Sequence, residues 1–82
     1  SADTGVSPRL ARAPVAGTVA AIGVAAGDLV EAGQQLVCVE AMKMEMWLEA
    51  RSGGRVRAVH VELKQSVEAQ DLLVELEIEE RD

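Results

Sequence analysis

Gly17–Glu40 reads GTVAAIGVAAGDLVEAGQQLVCVE, and Gly54–Glu77 reads GRVRAVHVELKQSVEAQDLLVELE. Laid over each other at an offset of 37 residues, without a gap, the two stretches agree at ten of 24 positions. The identities are Gly17/Gly54, Val19/Val56, Ala21/Ala58, Val24/Val61, Val30/Val67, Glu31/Glu68, Ala32/Ala69, Leu36/Leu73, Val37/Val74 and Glu40/Glu77. Chance would give roughly one or two, so the chain is built from two structurally equivalent halves. Two copies are too few for a solenoid, which needs three or more stacked units. Two half-sheets packed face to face about a pseudo-two-fold axis are the economical solution, because each covers an apolar face the other could not bury alone. The repeat also predicts orientation. Val37 and Val39, matched to Val74 and Leu76, point inward, while Cys38, matched to Glu75, leans outward and is partly exposed.

Within each half, short apolar runs alternate with turn signals at Ala16-Gly17, Ala26-Gly27-Asp28, Ala32-Gly33-Gln34 and Ser52-Gly53-Gly54. That spacing leaves room only for strands of four to eight residues, so the fold class is all-β. Of the 82 residues 49% are hydrophobic but Trp47 is the only aromatic, which leaves Val, Leu, Ile and Ala to fill the core. Ser1–Ala13 shows no periodicity and reads as a flexible leader, 14–79 as the domain and 80–82 as a tail. The chain begins with Ser, which suggests processing or excision from a longer polypeptide.

Fourteen acids against eight bases give a net charge of -6, the wrong sign for a nucleic-acid or membrane-surface binder. No apolar run is long enough for a membrane span. No signal peptide is visible, and the single Cys38 suits a reducing compartment, so a cytoplasmic or mitochondrial-matrix setting is expected. One Cys and one His fall short of a zinc site. Arg51, Arg55 and Arg57 read as a solvated sheet edge, and His60 as an outward strand residue with no catalytic role. So small a domain has little room for a substrate cavity, and an enzyme acting alone is not expected.

Between the halves lies Glu40-Ala41-Met42-Lys43-Met44-Glu45-Met46-Trp47-Leu48-Glu49. Its residues are good helix formers. Its pattern is not helical. Met42, Met44, Met46 and Leu48 share one parity, and Lys43, Glu45, Trp47 and Glu49 the other, which is a strand alternation. The reversal joining the halves then falls at Met42-Lys43, where neither Gly nor Asn eases a tight turn. Turn residues so poorly suited to a turn point to a selection other than folding. Lys43, one of only two lysines, projects from this tip, open to a modifying enzyme and collared by two flexible methionines.

Glu40-Ala41-Met42-Lys43-Met44 resembles the attachment motif of the biotinyl (biotin carboxyl carrier) domain family. Ala13-Pro14-Val15-Ala16-Gly17-Thr18-Val19 is similar to that family's opening Ala-Pro-x-x-Gly-x-Val, and Gly27-Asp28-Leu29-Val30-Glu31-Ala32-Gly33-Gln34-Gln35-Leu36 to its Gly-Asp-x-Val-x-x-Gly-Gln-x-Leu segment. The resemblance runs from Ala13 to about Ile78. Departures cluster in the second half: Ala50-Arg51-Ser52-Gly53-Gly54 stands for the frequent Ala-Pro-x-x-Gly, Lys64-Gln65 for the second Gly-Asp turn, and Gln70-Asp71 for the second Gly-Gln. The first half has no insertion between Val24 and Val30, so the protruding thumb of some bacterial carriers looks absent.

The resemblance implies a flattened barrel, or barrel-sandwich hybrid, of two four-stranded antiparallel sheets with Lys43 exposed on a hairpin. It implies biotin as a covalent cofactor, joined to Lys43 by a biotin protein ligase that uses biotinyl-AMP. Met42, Met44, Glu40 and Ala41 are the candidate ligase-recognition residues. A biotin carboxylase would load a carboxyl group on the biotin, and a carboxyltransferase would pass it to an acceptor. Two other readings stay open: a lipoyl-type acyl carrier, whose hairpin typically has Asp before the lysine and Ala or Val after it, and an unmodified barrel used as an interaction module.

Overall fold

In the computed structural model, which describes residues 7–78, eight strands succeed one another: β1 (Leu10–Arg12), β2 (Gly17–Ile22), β3 (Leu29–Val30), β4 (Gln35–Ala41), β5 (Met44–Glu49), β6 (Gly54–Val59), β7 (Ser66–Val67) and β8 (Leu72–Glu77). There is no helix among the described residues, and hence none long and apolar enough to cross a membrane. The strands form two antiparallel sheets of four, in the orders β1-β8-β6-β3 and β5-β4-β2-β7. The 37-residue offset maps β2 on β6, β3 on β7 and β4 on β8. It also maps Leu10–Arg12 on Trp47–Glu49, so each sheet order turns into the other. Each half lends its shortest strand to its mate: β3 pairs with β6, and β7 with β2.

Alternation explains the strands. In β2, Val19 is buried between exposed Thr18 and Ala20; in β6, Val56 is buried between exposed Arg55 and Arg57. Leu36, Val37 and Val39 of β4 meet Leu73, Val74 and Leu76 of β8 in a single aliphatic core that also holds Val24, Val30, Val61 and Val67. The two valines at each of these repeat positions are buried alike, as two faces sealing each other require.

The equivalence extends to single hydrogen bonds. Gly23 N–H donates to the Leu36 carbonyl and His60 N–H to the Leu73 carbonyl, both at 2.8 Å. Where the second half lacks the Gly-Asp and Gly-Gln pairs, the turns survive with the partners exchanged. Asp28 Oδ2 accepts from Ala25 N–H (2.9 Å), and Gln65 Oε1 does the same for Glu62 N–H (3.0 Å). Gln34 Oε1 caps Glu31 N–H (3.3 Å), and Asp71 Oδ2 caps Glu68 N–H (2.8 Å). An amide and a carboxylate, each with an accepting oxygen, have traded places.

Three expectations need correction. Leu10–Ala13 belongs to the domain and not to a leader: β1 is an edge strand on β8, and Ala13, the repeat mate of buried Ala50, is itself fully buried. Three residues are too few to show periodicity. Ser1–Val6 and the expected tail 80–82 lie outside the described residues. Arg55 and Arg57 do not guard an edge, because β6 lies inside its sheet between β8 and β3; the Arg55 guanidinium instead donates to the Gly27 carbonyl at 3.0 Å. Cys38 does not lean into solvent but is only 2% exposed, for a reason given below.

Lys64 (φ 70°) and Gln70 (φ 74°) occupy the left-handed conformation that their repeat mates Gly27 (φ 97°) and Gly33 (φ 90°) hold without a side chain. Such a conformation costs a residue with a Cβ about 1–2 kcal/mol. Glycine's greater chain entropy offsets part of that, about 0.5–1 kcal/mol. Lys64→Gly and Gln70→Gly are each expected to raise stability by about 0.5–1 kcal/mol, measured as a higher urea midpoint at unchanged slope.

Candidate functional site: the Met42-Lys43 hairpin

Strands β4 and β5 pair from Gln35↔Glu49 to Ala41↔Met44, which leaves two residues, Met42 and Lys43, to reverse the chain. Both have positive φ, 56° and 67°. Positive φ at both central positions is the mark of a type I′ turn, the two-residue reversal that matches strand twist and ordinarily takes Asn-Gly. A methionine and a lysine there are strained by about 1–2 kcal/mol each.

The next pair down is also locally unfavourable. Glu40 and Glu45 sit directly opposite each other, and like charges in that position repel. Neither carboxylate has a hydrogen bond or ion pair among the described residues, and neither does Lys43. Met42 is 92% exposed and Met44 63%, far beyond what a gap-filling methionine shows. The five residues Glu40, Ala41, Met42, Lys43 and Met44 singled out in the sequence therefore lie on one hairpin, with all but half-buried Ala41 open to solvent.

The root of the hairpin is tight. A Cβ on Gly17 of β2 would collide with the Glu40 carbonyl oxygen, and would lie 2.9 Å from Val39 Cγ1 and 3.2 Å from Ala41 Cβ. Because β5 is a sheet edge, β2 is the only strand that supports β4 from its other side. In the sequence Gly17 reads as part of a turn signal; its identity with Gly54, where a Cβ would meet the Glu77 carbonyl in the same way, is the mark of a close approach.

Trp47 lies opposite Cys38 on the outer face of this sheet and reaches Gly23, to within 3.6 Å of where a Cβ would stand. A ring at 37% exposure thus covers a thiol that the repeat had matched to a half-exposed glutamate. In the other half the same positions hold His60, Glu75 and Leu10, and His60 Nε2 pairs with Glu75 Oε1 at 3.0 Å. Burial pushes the Cys38 thiol up from its ordinary value; the charges of Glu45 and Glu40 add to the rise, and a hydrogen bond with the Met46 backbone works against it. Two surface grooves, about 270 Å³ between β1 and β5 and about 840 Å³ beside β3, do not include Lys43.

A small two-sheet sandwich that presents at a strained and exposed tip one amine without a partner among the described residues, outside both of these grooves, has the design of a carrier for a covalently attached group. Residues 7–76 match the family described as Biotin-requiring enzyme, and the chain belongs to that family. It is 45% identical over 64 residues to the propionyl-CoA carboxylase alpha chain of Sus scrofa, an alignment that covers 78% of this chain and 9% of that one. It is 44% identical over 62 residues to the biotin carboxyl carrier protein of Streptococcus mutans, covering 76% and 48% respectively. Among solved structures, the urea carboxylase of Kluyveromyces lactis superposes with a TM-score of 0.77 and 34% identity, over 82% of this chain and 6% of that one. The chain is a biotin carboxyl carrier domain, and its cofactor is covalently attached biotin.

Three outcomes are expected. The double substitution Met42→Asn, Lys43→Gly supplies the residues that a type I′ turn takes most readily and should raise unfolding stability by about 1–2 kcal/mol in urea titration, with loss of the attachment residue. Cys38 in the native chain should react with a disulfide reagent at pH 8 at least about a hundredfold more slowly than in urea. Because the folded thiol titrates above the unfolded one, its contribution to stability is present below the ordinary thiol value of 9.0 and is lost as pH rises through the raised folded value, which an alkaline denaturation series would show.

Proposed function

We propose that Lys43 is the residue that carries biotin, and that the domain moves a carboxyl group between two active sites of a biotin-dependent carboxylase. The observation that supports this best is the coincidence of an exposed lysine, without a partner among the described residues, with a strained two-residue turn at the joint of the repeat. On this reading a biotin protein ligase presents biotinyl-AMP; the Lys43 Nζ attacks the acyl carbon, AMP leaves, and the amine gives up its proton as the amide forms. Met42 and Met44 give the ligase an adaptable apolar collar, and Glu40 and Ala41 complete the surface it reads.

Lys43 fits the group. Its side chain is exposed and held by no ion pair or hydrogen bond among the described residues, so acylation breaks no described contact. Once attached, biotin supplies the carboxyl-transfer chemistry, and the chain supplies presentation. The partners on this reading are a biotin carboxylase, a carboxyltransferase and the ligase, in the cytoplasm or the mitochondrial matrix. A tether joining the domain to its partners would raise the local concentration of the loaded tip to roughly millimolar.

The test is intact mass after co-expression with a biotin protein ligase and biotin. One biotinyl group is expected on the parent chain and on Lys64→Arg, and none on Lys43→Arg. A folded parent that stays unlabelled while a control carrier is fully labelled would overturn the assignment.

A further inference from the structure

The strained tip depends on something to hold it in one direction, and the β5 side cannot do so, since β5 is itself an edge strand. On the other side, β2 is anchored firmly. Gly17 and Thr18 pair with Val67 and Ser66 of β7, Val19 N–H donates to the Gln65 carbonyl at 2.9 Å, and Lys64 N–H donates to the Val19 carbonyl at 2.8 Å. From this backing Gly17 faces the last three residues of β4, where a Cβ on it would meet the Glu40 carbonyl, Val39 Cγ1 and Ala41 Cβ. Gly17 is not in the left-handed region, so an alanine could adopt its backbone conformation. What excludes a side chain there is contact alone.

We infer that Gly17 is a positioning residue for the modification of Lys43: by letting β2 close on the hairpin root, it fixes the direction in which the tip offers its amine. The inference rests on the assignment of Lys43 as the attachment residue. A methyl group on Gly17 forces Glu40 and Ala41 off β2, and the displacement is passed to Lys43 two residues further on. Acyl transfer requires the amine about 3–3.5 Å from the acyl carbon, and a misplacement of about 1 Å can cost a hundredfold in rate.

The repeat supplies the control. Gly54 backs β8 as Gly17 backs β4, where a Cβ would meet the Glu77 carbonyl and Ile78 Cα, but among the described residues no hairpin follows β8. Gly17→Ala and Gly54→Ala are to be made in a Lys64→Gly, Gln70→Gly background, which adds stability and removes the other lysine. The two variants should lose similar amounts of thermal stability. With biotin protein ligase, biotin and ATP, Gly17→Ala should show kcat/KM lowered about ten- to a hundredfold, and Gly54→Ala should stay within about twofold of its background. Direct acylation by an activated biotin ester needs only an exposed amine, and should be equal in all three. Equal ligase kinetics for the two alanine variants would overturn the inference, whereas an unlabelled background chain would instead overturn the assignment of Lys43. A second measurement needs no variant. Backbone amides from Val39 to Ala41 in the parent chain should exchange with solvent as slowly as those of the core strands, and exchange at the rate of a free hairpin would also overturn the positioning role.

Discussion

Everything in this domain depends on two aliphatic faces that cannot exist apart. Val19, Leu36, Val37 and Val39 on one sheet, and Val56, Leu73, Val74 and Leu76 on the other, are each at most 3% exposed, and all owe their burial to the opposite sheet. No disulfide shares the work: the single cysteine is free. No large aromatic does either, since Trp47 lies on the outside. The exchange of β3 and β7 between the halves makes the arrangement obligatory, because removing either half takes a strand from the sheet of the other. Branched aliphatics suit this geometry, as their stiff side chains pack well on a pleated surface.

Against that background the hairpin is the one place where local preference and overall structure disagree. Asn-Gly would turn more easily than Met42-Lys43, and a salt bridge would pair better than Glu40 with Glu45. A compact core can hold a few such conflicts, and conflicts of this kind gather where a surface has to be recognised. The two strained turns of the second half, at Lys64 and Gln70, differ in kind. They retain a geometry the first half builds with glycine, and nothing in the structure explains why glycine is absent there.

Much of this could be read from the residues before any coordinates. The repeat predicted two equivalent halves and the inward valines; alternation in Met42–Glu49 overrode helix propensity; the wrong turn residues marked the tip. What could not be read was either too short or too non-local. Strand β1 has three residues, and its membership of the sheet is visible only through Ala13 and Ala50, one repeat apart. The burial of Cys38 depends on Trp47 lying across Gly23, a contact between the middles of β4 and β5 and the end of β2 for which repeat symmetry gave the opposite answer, because His60 and Glu75 occupy the matching places with a polar pair. The close approach at Gly17 is a property of backbone spacing, and a glycine in sequence does not reveal whether it bends the chain or lets another strand near.

The offset of 37 residues also maps the Ala41–Met44 reversal on the point where the described chain leaves at Ile78 and enters at Ser7. Entry and exit are adjacent there, with Leu76 N–H bonded to the Arg9 carbonyl at 2.7 Å. The molecule is thus a ring of two units with two equivalent joints, one closed and one open. From the closed joint β2 runs away, from Thr18 opposite Glu40 to Ile22 opposite Val37, and the chain then reaches β3 beside Arg55, which in turn pairs with Glu77 at the open joint. The open joint is where a longer polypeptide would be attached, and the closed one faces away from it. Cutting the ring once gives the body a tethered end and a free end, so a pull on the chain at the open joint leaves the lysine at the far, trailing end.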